Sequence, residues 1–293
     1  MPIMGFPIGY QGAFPIDVEV PIDVEVPIDV EVPGAPSDFD PDAMAWFEAV
    51  EAEGANFGPN VTVANANKTA WNNWVKAQKS AESPIAGRSN WDQLTEPGEG
   101  YIQPLMGLST FDIPALFGDS NFTNFVVGDY NPATGLKGGV NRLLTPDRAW
   151  DDTPIHDMSA GALLTEPPTA TPSTGRILGT DTSELIRELF VNDGRVRHRS
   201  GAMDDTTTLF GASTPRTAAI SRNDENGFQA FNGSIYEISR PVATAGISPV
   251  AFLNDVQLDR ESDARIGLAF YGRSINLEAM NTANITLLEA IVW

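Results

Sequence analysis

The chain has 293 residues, a net charge of −21 and no cysteine. A strongly acidic chain is repelled by nucleic acid and by anionic membrane surfaces, so we expect neither as a partner. With 2 histidines and no cysteine, the chain lacks most of the usual zinc ligands and cannot form disulfides. It contains no apolar run of about 18 residues, so we expect no membrane insertion.

The charge is distributed unevenly along the chain. No Lys or Arg precedes Lys68, whereas the same segment is rich in Asp and Glu. The change in charge, together with the hydrophobic patterns, predicts three parts. They are an extended acidic arm over 1–36, a helical neck over 37–94 and a β-sandwich with a C-terminal helix over 95–293.

Residues 15–33 contain the hexapeptide Pro-Ile-Asp-Val-Glu-Val three times. Because the repeat length is even, an extended chain places every Ile and Val on one face and every Pro, Asp and Glu on the other. A lone strand is not stable in water, so we predict that the apolar face orders against a partner. This partner is another protein or further copies of the chain, for which a trimer is one plausible arrangement. The alternative is a disordered acidic tether. The predicted assembly residues are Ile16, Val18, Val20, Ile22, Val24, Val26, Ile28, Val30 and Val32.

Helical patterns follow the arm. Asp40-Pro41-Asp42 predicts a helix start, with an Asp cap, Pro in the first position and an acid in the first turn. A second helix is predicted from near Asn65 to Ala81. Trp46, Trp71 and Trp74 have helical spacing, and we expect them to form a helix-packing core; the alternative is a sugar-stacking platform.

Beyond residue 95, short apolar runs such as 121–127 alternate with turn signals. Asn192-Asp193-Gly194, 224–227 and Asn232-Gly233 favour tight hairpins. Strands at a spacing of about 8–12 residues, without amphipathic helices between them, indicate a sandwich. We expect the proline-rich stretch 145–175 to be a long surface excursion. Residues 276–293 are predicted to form a closing helix capped by Asn276.

Motifs for catalysis are absent from the sequence. It has no nucleophile elbow, phosphate loop or HExxH motif, and we expect neither His156 nor His198 to be catalytic. We therefore expect that the protein is not an enzyme and needs no cofactor. A polysaccharide-degrading enzyme is the lesser alternative, because 39 acidic residues always include some suitably spaced pair. Calcium is a weak option at an acidic run that we interpret as an ordinary loop, formed by Asp255, Asp259, Glu261 and Asp263.

Three blocks, taken in order, resemble a known family. They are Asp40–Ala43 with Phe47–Glu51, Trp74–Lys76 and Trp91–Leu94; then Ile220–Arg222 through Phe231–Gly233; and last Arg265–Ile275 with Leu277 and the final helix. This order is similar to that of the concanavalin-like (laminin-G-like) jelly-roll proteins in the tails and fibres of double-stranded DNA bacteriophages.

The resemblance implies a mainly β, concanavalin-like jelly-roll sandwich in a virion structural protein. Such a protein is made in the host cytoplasm and sits on the tail or capsid surface. Its arm is expected to bind other virion proteins, and its sandwich to contact host-surface glycans. The alternative is a capsid decoration protein that stabilises the head. The resemblance carries no catalytic motif onto this sequence.

Overall fold

Helices and antiparallel sheets build the part of the chain that this computed structural model describes: residues 38–139, 141–147, 157–166, 175–180, 187–192, 195–200, 204–209, 216–223, 227–232, 234–239, 250–255 and 260–293. The helices are α1 (Pro41–Ala52), α2 (Val61–Ser80), α3 (Asn90–Leu94) and α4 (Leu277–Ala290), with a 3-10 turn at Val127–Asp129. The strands are β1 (Tyr101–Pro104), β2 (Ser120–Thr123), β3 (Tyr130–Asn131), β4 (Gly135–Lys137), β5 (Leu143–Pro146), β6 (Met158–Glu166), β7 (Gly175–Thr180), β8 (Arg187–Asn192), β9 (Arg195–Ser200), β10 (Asp204–Leu209), β11 (Arg216–Arg222), β12 (Gly227–Asn232), β13 (Ile235–Ser239), β14 (Val250–Phe252), β15 (Asn254–Asp255), β16 (Arg260–Glu261) and β17 (Arg265–Gly272).

Local capping sets the helix starts. The Asp40 side chain accepts a hydrogen bond from the Asp42 backbone N–H at 3.0 Å, which confirms the predicted start of α1. Helix α2 begins earlier than predicted, because Asn60 accepts a hydrogen bond from the Val63 N–H at 3.0 Å. Asn276 caps α4, as predicted. None of the helices in the described residues has the length and apolar character needed to span a bilayer.

The strands pair into two large sheets. Within the described residues, an eight-stranded sheet has the order β13-β12-β11-β6-β17-β4-β3, with β1 also paired to β17. A seven-stranded sheet has the order β10-β9-β8-β7-β14-β5-β2, and β15 pairs with β16. The pairs β8–β9, β11–β12 and β12–β13 are antiparallel neighbours, as the turn signals predicted. A mainly β chain with antiparallel sheets and a C-terminal helix is therefore confirmed.

The central strands of the eight-stranded sheet are buried on both faces. Leu268 and Phe270 of β17 belong to a core shared with the helices, whereas Ala269 and Tyr271 belong to a core shared with the seven-stranded sheet. The alternation follows from the period of two along a strand. The result is three layers: helices, eight-stranded sheet and seven-stranded sheet.

The prediction of a long surface excursion over 145–175 is wrong, because the buried strand β6 lies within this stretch. Strand β6 pairs with β11 and β17 near the middle of the eight-stranded sheet, and all but its last residue are buried. Small residues fill this position because the neighbouring strand β11 lies close beside Gly161 in the same sheet. A Cβ on Gly161 would lie 2.5 Å from the Cβ of Ala219 and 2.6 Å from the carbonyl oxygen of Ala218. The run contains no β-branched residue until Thr165, so its composition did not indicate a strand.

The predicted strand over 121–127 is also too long. Strand β2 ends at Thr123, and Asn124 has a φ of 61°, in the left-handed region that a continuing strand does not use. A 3-10 turn follows at Val127–Asp129.

A buried asparagine fastens the C-terminus to the helical layer. The Nδ2 of Asn67 donates to the carbonyl oxygens of Phe57 at 2.7 Å and Val292 at 2.9 Å, and its Oδ1 accepts from the Val292 N–H at 3.0 Å. Asn67 is fully buried. Its hydrogen bonds therefore join the loop before α2, helix α2 itself and the segment after α4.

We predict that Asn67→Leu lowers the free energy of unfolding by about 3 kcal/mol or more, because it leaves buried backbone groups without partners at about 1–3 kcal/mol each. The matched control is Asn65→Leu on the exposed side of the same helix, with an expected change within about 0.5 kcal/mol. Urea unfolding measures both. Equal effects of the two substitutions would contradict this role for Asn67.

Candidate functional site

Some of the residues that the sequence analysis assigned to function lie within the described part of the chain, and others lie outside it. The nine Ile and Val assembly residues between Ile16 and Val32 lie outside the described residues, as do His156 and Asp259. Among the described residues, no group of three or more His, Cys, Asp or Glu is placed to hold a metal ion. Trp46, Trp71 and Trp74 are buried in the helical core, which confirms the packing interpretation.

A groove lies instead at one corner of the helical layer. It has a volume of about 940 Å³, within the range of about 300–1,000 Å³ for small-molecule sites. The start of α1, the end of α2, the segment between α2 and α3, and α3 itself enclose it. The lining residues are Asp42, Lys79, Ser80, Ala81, Glu82, Ser83, Ala86, Gly87, Arg88, Ser89, Trp91, Asp92 and Thr95.

A short hairpin forms one wall of this groove. The Ser83 N–H donates to the Arg88 carbonyl oxygen at 2.9 Å, and the Asn90 N–H donates to the Ala81 carbonyl oxygen at 2.8 Å. Gly87 has a φ of +77°, which lets the chain reverse direction between them. The wall is thus held by backbone hydrogen bonds.

An ion cluster joins two helices at the groove. The Lys79 Nζ lies 2.7 Å from Oδ1 of Asp40 and 2.6 Å from Oδ2 of Asp42. Burial acts to lower the pKa of Lys79, but the hydrogen bonds and charges of the two aspartates outweigh it and raise the pKa. Lys79 therefore stays charged at neutral pH and fixes the start of α1 against the end of α2.

Trp91 is the aromatic residue of the groove. Its ring centroid lies 5.3 Å from the Lys79 Nζ, and the residue is 8% exposed and belongs to the helical core. Trp91 also lines a second cavity of about 340 Å³, which shares Asp42 and Thr95 with the first. The second cavity is more apolar, with walls from Ala45, Trp46, Ala49, Ala115, Leu116 and Phe117.

A capping box holds Trp91 in position. The Ser89 Oγ accepts from the Asp92 N–H at 3.1 Å, and Oδ2 of Asp92 accepts from the Ser89 N–H at 2.8 Å. The backbone hydrogen bond from Ser89 lowers the pKa of Asp92 below its ordinary value of 3.8, against the opposing effect of burial. The short helix α3 is therefore fixed at its first turn.

Sequence reasoning used Trp91 only for a family resemblance and did not assign it to a site. The signal that could have found it is the spacing Ser89-x-x-Asp92, which predicts a capping box and places a Trp in the first turn of a helix. The partners Asp42 and Lys79 come from other helices, so no local pattern connects them to it.

Comparisons with known proteins give a fold and no family. No protein-family model matches the chain, and no curated protein is similar to it. A solved structure of Trypanosoma rangeli sialidase, in complex with 2,3-difluorosialic acid as a covalent intermediate, is 13% identical with a TM-score of 0.51. The match covers 78% of this chain and 39% of the sialidase.

Two further similar structures score lower. The binding domain of Paraclostridial mosquitocidal protein 1 is 13% identical with a TM-score of 0.47, covering 63% of this chain and 52% of that one. Domain 4 of a GH43 extracellular arabinanase from Geobacillus stearothermophilus, in complex with arabinotriose, is 13% identical with a TM-score of 0.40, covering 66% and 93%. At these scores we draw no conclusion from either.

The sialidase likeness corrects one expectation. We expected from the missing motifs that the protein is not an enzyme, yet its fold occurs within an enzyme. Motifs of the nucleophile-elbow or HExxH type do not report on carboxylate-based chemistry, so their absence did not support that expectation.

We predict that Asp92→Ala destabilises the protein by about 0.5–1 kcal/mol at pH 7, a modest amount because the carboxylate is exposed to solvent. Because the folded pKa of Asp92 lies below its unfolded value, its contribution is present above pH 3.8 and is lost as the pH falls through the folded pKa. Urea unfolding between pH 7 and pH 3 should therefore show the difference shrinking at low pH. Asp112→Ala, at an exposed position, is the control. A difference that does not change with pH would argue against the capping role.

Proposed function

We propose that the chain is a structural protein of a tailed double-stranded DNA bacteriophage. In this proposal a groove of the helical layer, which packs on a concanavalin-like jelly-roll sandwich, binds carbohydrate of the host surface, and the N-terminal arm attaches the protein to the tail or fibre. The groove beside Trp91 is the observation on which the binding role depends. The order of sequence blocks that resembles phage tail and fibre proteins supports the setting.

The groove has the chemistry of a saccharide site. Saccharides carry many hydroxyl donors, so they need several hydrogen-bond acceptors close together. Carboxylates of Asp42 and Glu82 supply charged acceptors, Ser83 and Thr95 supply hydroxyl groups, and Trp91, which is 8% exposed, contributes only an edge to the lining. The capping box and the ion cluster hold these groups in place before a ligand arrives, which lowers the entropic cost of binding.

The arm suits attachment to a larger assembly. An extended conformation of 15–33 would place its Ile and Val on one face, and the prolines would remove donors along one edge only. The opposite edge would keep its N–H groups and could add as a strand to a partner sheet. Other virion proteins or further copies of the chain are the partners that we propose.

A second candidate function is glycoside cleavage. The likeness to a sialidase favours it, since that protein contains the same fold. Most glycoside hydrolases use two carboxyl groups across a bound sugar, one of them able to donate a proton, whereas sialidases use a tyrosine nucleophile. Both candidates therefore predict a saccharide ligand, and they differ in whether the ligand is cut.

Incubating the full-length chain with surface polysaccharide of the phage host separates these candidates. We expect the protein to be retained on the immobilised polysaccharide, and release of reducing ends is measured in the same samples. Retention alone supports binding, whereas release that grows with time supports cleavage. If the protein is neither retained nor active, both candidates fail.

The arm is tested by two matched triple substitutions. Replacing Val18, Val24 and Val30 by Ser should reduce incorporation into purified particles at least about tenfold, because each buried Val contributes about 1.5–3 kcal/mol. Replacing Glu19, Glu25 and Glu31 by Gln leaves the apolar face intact and should preserve incorporation. Quantitative mass spectrometry of particles from a complemented infection gives the copy number. Equal incorporation of both variants would indicate a tether and remove the docking role.

A further inference from the structure

A second groove runs between helices α2 and α4, and we call it the α2–α4 groove. It has a volume of about 450 Å³ and is lined by residues within 70–81 and 279–290. Most of these residues are Ala, with Trp74 and Leu287 among the others. None of them is charged, although Asp, Glu, Lys and Arg make up 19% of the chain.

The two helices run antiparallel along this groove. After the end of α4, the Val292 carbonyl oxygen accepts from the Asn67 Nδ2 near the start of α2 at 2.9 Å. At the other end, the Asn276 N–H donates to Oδ1 of Asn90, and the Asn90 N–H donates to the Ala81 carbonyl oxygen after α2. At about 1.5 Å per residue, the lining on each helix is about 17 Å long.

Helix packing accounts for the floor of the α2–α4 groove but not for its rims. Ala70 and Ala283 are buried, and their small side chains let the helices approach. The rims are exposed and consist of Asn73, Ala77 and Ser80 on α2 and Thr282, Thr286 and Ala290 on α4. An exposed helix face usually carries charged residues, and this one carries none. A partner can therefore cover the rims without burying a charge.

Helix α2 brings positive charge to one side of the groove. It contains three Lys and neither Asp nor Glu, in a chain whose net charge is −21. Lys76 is exposed, and its Nζ donates to the Asp38 carbonyl oxygen at 2.6 Å; within the described residues it forms no ion pair. It lies three residues after Asn73 and four before Ser80, so it flanks the α2 rim.

The opposite side of the groove is negative. Glu278 lies four residues before Thr282, and Glu289 lies three residues after Thr286, so the two acids flank the α4 rim. Both are exposed. An apolar partner that also carries acids is therefore attracted towards α2 and repelled from α4.

The arm has the matching chemistry. Each Pro-Ile-Asp-Val-Glu-Val repeat has three apolar and two acidic residues, and no base precedes Lys68. An extended repeat would be about 20 Å long at about 3.3 Å per residue, close to the length of the groove. Its apolar face would cover the uncharged lining while Lys76 attracts its acids. Each copy has a single α2–α4 groove but three repeats, so the remaining repeats need grooves on other copies.

We propose that the α2–α4 groove binds one Pro-Ile-Asp-Val-Glu-Val repeat from the arm of a neighbouring copy of the chain. This rests on the proposed role of the arm in attachment and assigns the arm a partner surface. Two different surfaces, arm and groove, then meet at each contact, so the interface is heterologous. A copy with a defective arm can still offer its groove, and a copy with a defective groove can still offer its arm.

The experiment measures self-association of the full-length chain by sedimentation. Ala77→Glu is expected to weaken it at least about tenfold, because the new charge would be buried against the apolar face of the arm and would repel its acids. The matched control is Ala52→Glu, at an exposed position on α1 outside the groove, which should leave self-association unchanged. Replacing Val18, Val24 and Val30 by Ser disables all three repeats. Urea midpoints verify that each variant is folded.

Mixing the two defective variants gives the decisive result. The Ala77→Glu chain keeps its arm and the triple Ser chain keeps its groove, so the mixture should associate although each variant alone does not. Association restored by mixing supports the proposal. If each variant alone is impaired and mixing restores nothing, the contact is groove to groove or arm to arm, and the proposal is overturned. Self-association that Ala77→Glu leaves unchanged overturns it as well.

Failure of this inference is distinguishable from failure of the proposed attachment. A full-length chain that stays monomeric overturns docking between copies. If the triple Ser variant is nevertheless lost from purified particles, attachment of the arm to another virion protein stands. If that variant enters particles normally and self-associates as the unmodified chain does, the docking role of the arm and this inference fail together.

Discussion

Burial of the central strands of the eight-stranded sheet on both faces is the constraint from which the rest of the structure follows. Antiparallel sheets commonly pack one face on a core and leave the other in water, and their strands then alternate apolar and polar residues. Here helices cover one face and a second sheet covers the other. Strands β6 and β17 are accordingly buried along almost their whole length.

Hydrogen bonds of buried side-chain amides hold the helices against one another and against the sheet. Asn284 accepts from the Trp74 Nε1 at 2.8 Å and donates to Thr217 Oγ1 at 2.9 Å, joining α2, α4 and β11. Asn90 accepts from the Asn276 N–H at 2.8 Å and so joins α3 to the start of α4. A buried amide stabilises only if its partners are present, so these bonds fix one arrangement of the helices.

The groove is a consequence of that arrangement. Helix α2 packs against α1, α3 and α4, and the start of α1, the end of α2 and α3 meet at one corner, where Asp42, Lys79 and Trp91 come together. None of these residues belongs to a catalytic motif. A shared fold with a sialidase does not transfer its activity, since function depends on the side chains of a site. The case for a saccharide ligand therefore depends on the groove itself.

The sequence by itself determined the local features of this protein. The caps at Asp40 and Asn276, the hairpins at turn signals and the mainly β character follow from short-range chemistry, in which a side chain contacts backbone a few residues away. The order of three sequence blocks added a resemblance to phage tail and fibre proteins, and with it the expectation of a virion role.

Only the tertiary structure decided which strand is central and where a ligand can bind. Gly161 of strand β6 leaves room for Ala218 and Ala219 of the paired strand β11, and that requirement is a property of its neighbours as much as of its own sequence. The groove joins residue 42 to residues 79 and 91, which no periodicity connects. Residues distant in the sequence come together only when the whole core packs. A pattern along the sequence therefore does not show which of them will be neighbours.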